Sequence, residues 1–83
     1  MINKQLVICF GLKIKQLRDN KNWSQEKLSF ATGFHRTYIG MIERGERNIS
    51  LINIAVFAKI FEISVSEILD FSSIDSKLTY QDY

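Results

Sequence analysis

One motif, repeated four times, constrains this chain more than anything else in it. Trp23 precedes Ser24 and is answered by Leu28 five positions on; Phe34 precedes His35 and is answered by Ile39. The same spacing links Ile49, Ser50 and Ile54, and then Ile63, Ser64 and Ile68. Two apolar residues bracketing an N-cap form a hydrophobic staple, which sets the angle at which the chain enters a helix. Serine caps well because its hydroxyl accepts from a first-turn N–H that has no other partner; histidine caps poorly. Ser64 with Glu67 also makes a capping box. Helix starts near residues 24, 35, 50 and 64 follow.

A further helix comes first. Leu6, Phe10, Ile14 and Leu17 recur at helical steps and define one buried stripe, with Lys13, Lys15, Arg18 and Asp19 on other faces. The polar stretch 19–22, Gly33 and Gly45 supply stops, since a left-handed residue commonly ends a helix. The pattern predicts helices over about 4–20, 24–31, 35–44, 50–62 and 64–70. No segment alternates apolar and polar residues over strand length, so the fold class is all-α. Residues 1–71 make the domain, and 72–83 a polar tail that frays unless a partner chain orders it.

Composition narrows the function. With 83 residues, 46% of them apolar and no proline, the chain suits a single compact helical domain. A domain this short is marginal alone, and a second copy is a natural remedy. Cys9 cannot pair internally, and one histidine beside it makes no metal cluster; Cys9 reads as a small buried hydrophobe, and no metal or cofactor is expected. The run Leu6–Phe10 is too short to span a bilayer, and no cleavage site follows it, so the chain reads as cytosolic, without a membrane partner. No glycine-rich phosphate loop or paired carboxylates mark an enzyme.

The net charge of +2 conceals an asymmetry. Residues 1–47 hold nine Lys/Arg against four Asp/Glu, whereas 48–83 hold two against five. A basic front and an acidic back fit a polyanion on one side only.

The second and third helices are short and joined by a turn containing Gly33, as in a helix-turn-helix. On the third, Ile39 and Ile42 point inward with Phe34, while Arg36, Thr37, Gly40, Met41 and Arg44 fall on the opposite side. Arginine can bond guanine through two N–H groups, and a threonine or methionine methyl can touch thymine. Gly40 would let the helix approach the duplex. A solvated face with two arginines is the bland alternative; the turn and the charge asymmetry favour DNA.

The stretch Ser24-Gln25-Glu26-Lys27-Leu28, then Gly33, Arg36-Thr37-Tyr38-Ile39 and Ile42-Glu43-Arg44-Gly45-Glu46-Arg47-Asn48 resembles the Xre/Cro-repressor helix-turn-helix family. It looks most like the controller proteins of restriction-modification systems, over roughly residues 10–70. The resemblance implies a five-helix lambda-repressor-like DNA-binding domain. It implies that Ser24 and Gln25 hold a backbone phosphate, helped by the helix dipole. Arg36 and Thr37 would read base edges, with Tyr38 and Arg44 near the backbone or neighbouring bases. Arg47 and Asn48 would grip phosphates or enter the minor groove. Arg18 would pair with Glu43 as a structural ion pair. His35 departs from the aspartate common at that cap, and Met41 from a usually small or polar position, so operator bases are not transferable.

One helix-turn-helix reads few bases, so a homodimer on a symmetric double-stranded operator is expected, its half-sites about 34 Å or a multiple apart. Phe61, Ile63, Val65, Ile68, Leu69 and Phe71 are the candidate interface residues, some of which must instead close the monomer core. RNA polymerase is a further candidate partner. A phage-type or chromosomal Xre repressor is the alternative within this class. An antitoxin or other protein-interaction module is the alternative outside it, and it predicts little salt dependence of DNA binding.

Overall fold

The computed structural model describes residues 4–74; positions 1–3 and 75–83, with Leu78, Tyr80 and Tyr83 of the expected tail, lie outside the described residues. Five helices follow one another: α1 (Lys4–Asn20), α2 (Gln25–Thr32), α3 (Arg36–Glu43), α4 (Leu51–Ile60) and α5 (Val65–Ile68). No strand occurs among the described residues.

Helices α2 to α5 open at the residues the staples mark. Ser24, Ser50 and Ser64 accept from the N–H groups of Lys27, Asn53 and Glu67 at 3.0, 3.1 and 3.0 Å. Glu67 returns a carboxylate oxygen to the Ser64 N–H at 2.9 Å, closing the capping box. His35 caps α3 with Nδ1, which accepts from the Thr37 N–H at 3.1 Å.

Three helices end in one and the same way. After α1, Asn22 N–H donates to Asp19 and Trp23 N–H to Arg18; Gly45 and Glu46 repeat the pair after α3, and Glu62 and Ile63 after α4. This double bond is the Schellman ending, and it needs a left-handed residue at its corner. Asn22, Gly45 and Glu62 supply it, with φ of 59°, 73° and 59°. The turn at Glu62 stops α4 at Ile60, two residues short of the 50–62 expectation; α5 likewise ends at Ile68 rather than 70.

Phe10, Ile14, Leu28, Ile39, Ile42, Phe57, Phe61, Ile68 and Phe71 form the core together with Cys9, whose thiol pKa burial pushes up. The Phe57 ring packs between Phe10, at 6.3 Å, and Phe34, at 5.2 Å. Helices α1 and α3 cross at Gly11: a methyl there would overlap the Ile42 carbonyl oxygen and lie 3.0 Å from that of Glu43. Past α5 the chain returns to α1, where Lys13 Nζ donates to the Asp70 carbonyl at 2.8 Å and Ser73 to Gln16 at 3.0 Å. Ile74 packs against the core.

Candidate nucleic-acid interface

Glu43, the last residue of α3, ties three segments together. Its carboxylate accepts from Arg18 Nε at 2.7 Å and Nη2 at 2.9 Å, and from Gln25 Nε2 at 3.0 Å. Arg18 Nη1 donates to the Trp23 carbonyl at 2.7 Å, and lies 3.5 Å from Asp19. The Arg18 and Glu43 side chains are 11% and 4% exposed. Hydrogen bonding to Glu43 raises the Arg18 pKa against the opposing effect of burial. The end of α1, the start of α2 and the end of α3 are thereby held in fixed register, which sets the angle of the helix-turn-helix.

The turn between α2 and α3 is only Gly33, Phe34 and His35. Gly33 closes α2 in the left-handed region at φ 80° and donates to Ser29 at 2.9 Å. Thr32 Oγ1 accepts from the Phe34 N–H at 3.1 Å, and the Ser29 hydroxyl donates to the Phe34 carbonyl. Phe34 is thus pinned facing the core.

Arg36 and Thr37 occupy the first turn of α3, exposed. With Gln25, Gly40 and Arg44 they line a groove of about 240 Å³. Gln25 is half-buried because Glu43 holds its amide, which keeps one more N–H to offer. Ser24 is exposed, its hydroxyl engaged as the cap.

Two positions differ from the open helix face expected. Gly40 is buried rather than open, because the Arg44 guanidinium folds back over it, 3.1 Å from where a Cβ would stand. Met41 is half-buried. Arg44 itself is paired: Nε and Nη2 donate to the two Glu46 oxygens at 2.9 and 3.1 Å. These bonds raise the Arg44 pKa and lower that of Glu46.

Arg47 and Asn48 are exposed in the segment linking α3 to α4. The Arg47 guanidinium lies over the half-buried Tyr38 ring at 5.2 Å, and the Tyr38 hydroxyl accepts from Asn53 Nδ2 at 3.0 Å. Arg47 and Asn48 do not share the Arg36–Arg44 groove: they line a separate apolar cleft with Ile54, Leu69 and Phe71. Among the described residues no cluster of three or more His, Cys, Asp or Glu could hold a metal, and no helix is long and apolar enough to cross a membrane.

The six candidate interface residues separate by burial. Phe61, Ile68 and Phe71, at 5%, 0% and 3% exposure, lie in the monomer core, because α5 and the segment after it fold onto α1 and α4. Ile63 and Val65 are half-buried against that core, and Leu69 is exposed at 36%. Sequence reasoning missed Leu51 and Ile52, which stand 70% and 76% exposed at the start of α4. The signal was available: Leu51-Ile52-Asn53-Ile54-Ala55-Val56-Phe57 is apolar on more sides than one core contact covers.

Comparison with known proteins agrees with this geometry. A helix-turn-helix family matches residues 14–68. The control protein C.BamHI of Bacillus amyloliquefaciens is 48% identical over 81% of this chain and 84% of its own. The control protein C.SmaI of Serratia marcescens is 43% identical, over 68% and 67%. The crystal structure of the restriction-modification controller protein C.AhdI from Aeromonas hydrophila superimposes with a TM-score of 0.71 at 42% identity, covering 75% of this chain and 94% of that one. The chain is a member of the Xre-like helix-turn-helix family and a relative of the control proteins of restriction-modification systems.

Proposed function

We propose that this protein is a dimeric transcriptional regulator that binds symmetric operators and controls a restriction-modification system. The observation that carries the reading is the exposed pair Arg36 and Thr37, set on the first turn of α3 at an angle fixed by the Arg18–Glu43–Gln25 bonds. Arg36 is the residue to bond a guanine edge, with Thr37 beside it and Met41 touching the groove at its margin. Gly40 serves by admitting Arg44 over the helix backbone. Ser24 and Gln25 offer the α2 N-terminus to one phosphate, while Arg44, Tyr38, Arg47 and Asn48 serve the backbone or the minor groove.

The dimer face in this reading is Leu51, Ile52 and Leu69, with Ile63 and Val65 at its edge. Ile54, one turn after Leu51, lines an apolar cleft of about 340 Å³ with Leu69, and a second copy covering both would bury apolar surface that the monomer leaves in water. Leu51→Lys then yields a monomeric mass by light scattering; an unchanged dimer removes α4 from the interface. A bound dimer that regulates transcription works beside RNA polymerase, and transcription in vitro tests for direct contact.

In vitro selection from a random duplex library, with wild type and Arg36→Ala in parallel, tests the whole reading. Enrichment of a two-fold symmetric site, relaxed at one base per half-site in the variant, is expected. Failure to enrich any duplex, with binding insensitive to salt, would move the protein to the protein-interaction class.

A further inference from the structure

Among the described residues of α3 and the segment after it, Arg44 is the only arginine whose guanidinium is held by a carboxylate, and that carboxylate lies two positions away, across the turn at Gly45. Both Glu46 oxygens bond the Nε/Nη2 edge side by side, the geometry in which a phosphate would grip the same fork. The remaining nitrogen, Nη1, is folded back against Gly40 beside Gln25, Arg36 and Thr37. Both side chains are exposed, 58% and 49%, so the pair is open to exchange rather than locked by packing.

We propose that Glu46 is an intramolecular stand-in for phosphate that competes with DNA for Arg44, and so sets the protein's affinity for every duplex. The inference rests on the DNA-binding reading above. For Arg44 to reach a backbone phosphate, its fork must leave Glu46, and the cost of breaking that pair is subtracted from binding. Because phosphates carry no sequence information, the subtraction is the same on operator and non-operator DNA. Glu46 therefore raises the protein concentration at which sites fill without altering which sites fill.

The test measures binding of wild type and Glu46→Gln to a random-sequence duplex and to a selected operator over a salt series, each also in an Arg44→Ala background. Glu46→Gln should tighten both duplexes alike, by roughly two- to fivefold at low salt, the worth of one exposed ion pair. The gain should shrink as salt rises, because salt screens the exposed pair that the wild type must break. In the Arg44→Ala background Glu46→Gln should leave the affinity unchanged at every salt concentration. Equal affinities for wild type and Glu46→Gln at low salt, or a gain confined to the operator, overturn the proposal while leaving the DNA-binding reading intact. So does tightening that persists without Arg44, since the carboxylate would then act through general charge. Absence of salt-dependent binding in every protein removes both readings together.

Discussion

The guanidinium of Arg47 stacks 5.2 Å above the ring of Tyr38, and Asn53 in turn bonds the Tyr38 hydroxyl at 3.0 Å. An arginine in a linker is thereby given a platform on the third helix, itself anchored to the fourth. A stacked guanidinium of this kind gains about 0.5–1 kcal/mol at an exposed site. Tyr38→Leu removes the platform and should weaken DNA binding about two- to fivefold by that amount, and in an Arg47→Ala background it should add nothing. Tyr38→Phe keeps the stack and loses only the hydroxyl, so it should weaken binding less than Tyr38→Leu does. Independent, additive losses in a double-mutant cycle on fluorescence titrations would separate the two residues.

Removing the carboxylate of Glu43 leaves Arg18 charged in a site where its side chain is 11% exposed. Breaking a buried pair from one side costs about 3–5 kcal/mol. Glu43→Ala should therefore lower the urea midpoint far more than Arg18→Met combined with Glu43→Leu, which buries no unpaired charge. A larger loss in the double variant would show that the charges themselves stabilise the fold.

Gly11→Ala would improve helix propensity by up to about 1 kcal/mol in an isolated α1. Here the added methyl meets the Ile42 and Glu43 carbonyls and pushes α3 away from α1. Net destabilisation of about 1–3 kcal/mol is expected. A thermal midpoint above that of wild type would mean the two helices do not cross this closely.

Acid should loosen the second half of the chain. The Ser64 N–H and hydroxyl hold the Glu67 carboxylate below its usual 4.5, and the Ser72 N–H and hydroxyl hold Asp70 below 3.8. A carboxylate with a depressed folded pKa contributes stability that is complete above its ordinary value and lost as pH falls through the folded one. Stability should then be level between pH 5 and 7 as far as these groups are concerned, and decline below about 4.5. Glu67→Gln should flatten part of that decline in urea titrations at pH 3 to 5; an identical profile would discount the capping box as its source.

How much of this was readable beforehand depends on how far apart the interacting residues lie. Ser24, His35, Ser50 and Ser64 all cap helices, because a cap and its staple are settled within five residues. Residues that act across the fold were less legible. Gly11 carries no local mark of the helix that crosses it. Arg44 and Glu46 face each other only because Gly45 reverses the chain. Phe61, Ile68 and Phe71 are as apolar in sequence as Leu51 and Ile52, and periodicity says nothing of what covers each. The Arg18–Glu43 pair came from family resemblance, since two charges 25 residues apart are not matched by spacing.

The shared ending at Asn22, Gly45 and Glu62 bears on how quickly the protein becomes available. Each of these reversals closes through bonds that span no more than five residues. Local closures form in well under a microsecond, and helical domains built from them fold in microseconds to milliseconds. Ribosomes add only about 5–20 residues each second. The Lys13–Asp70 bond joins residues 57 apart, so it has to wait until the chain just past α5 has been made. For a transcriptional regulator, the amount of working protein then tracks its own synthesis with no lag from folding.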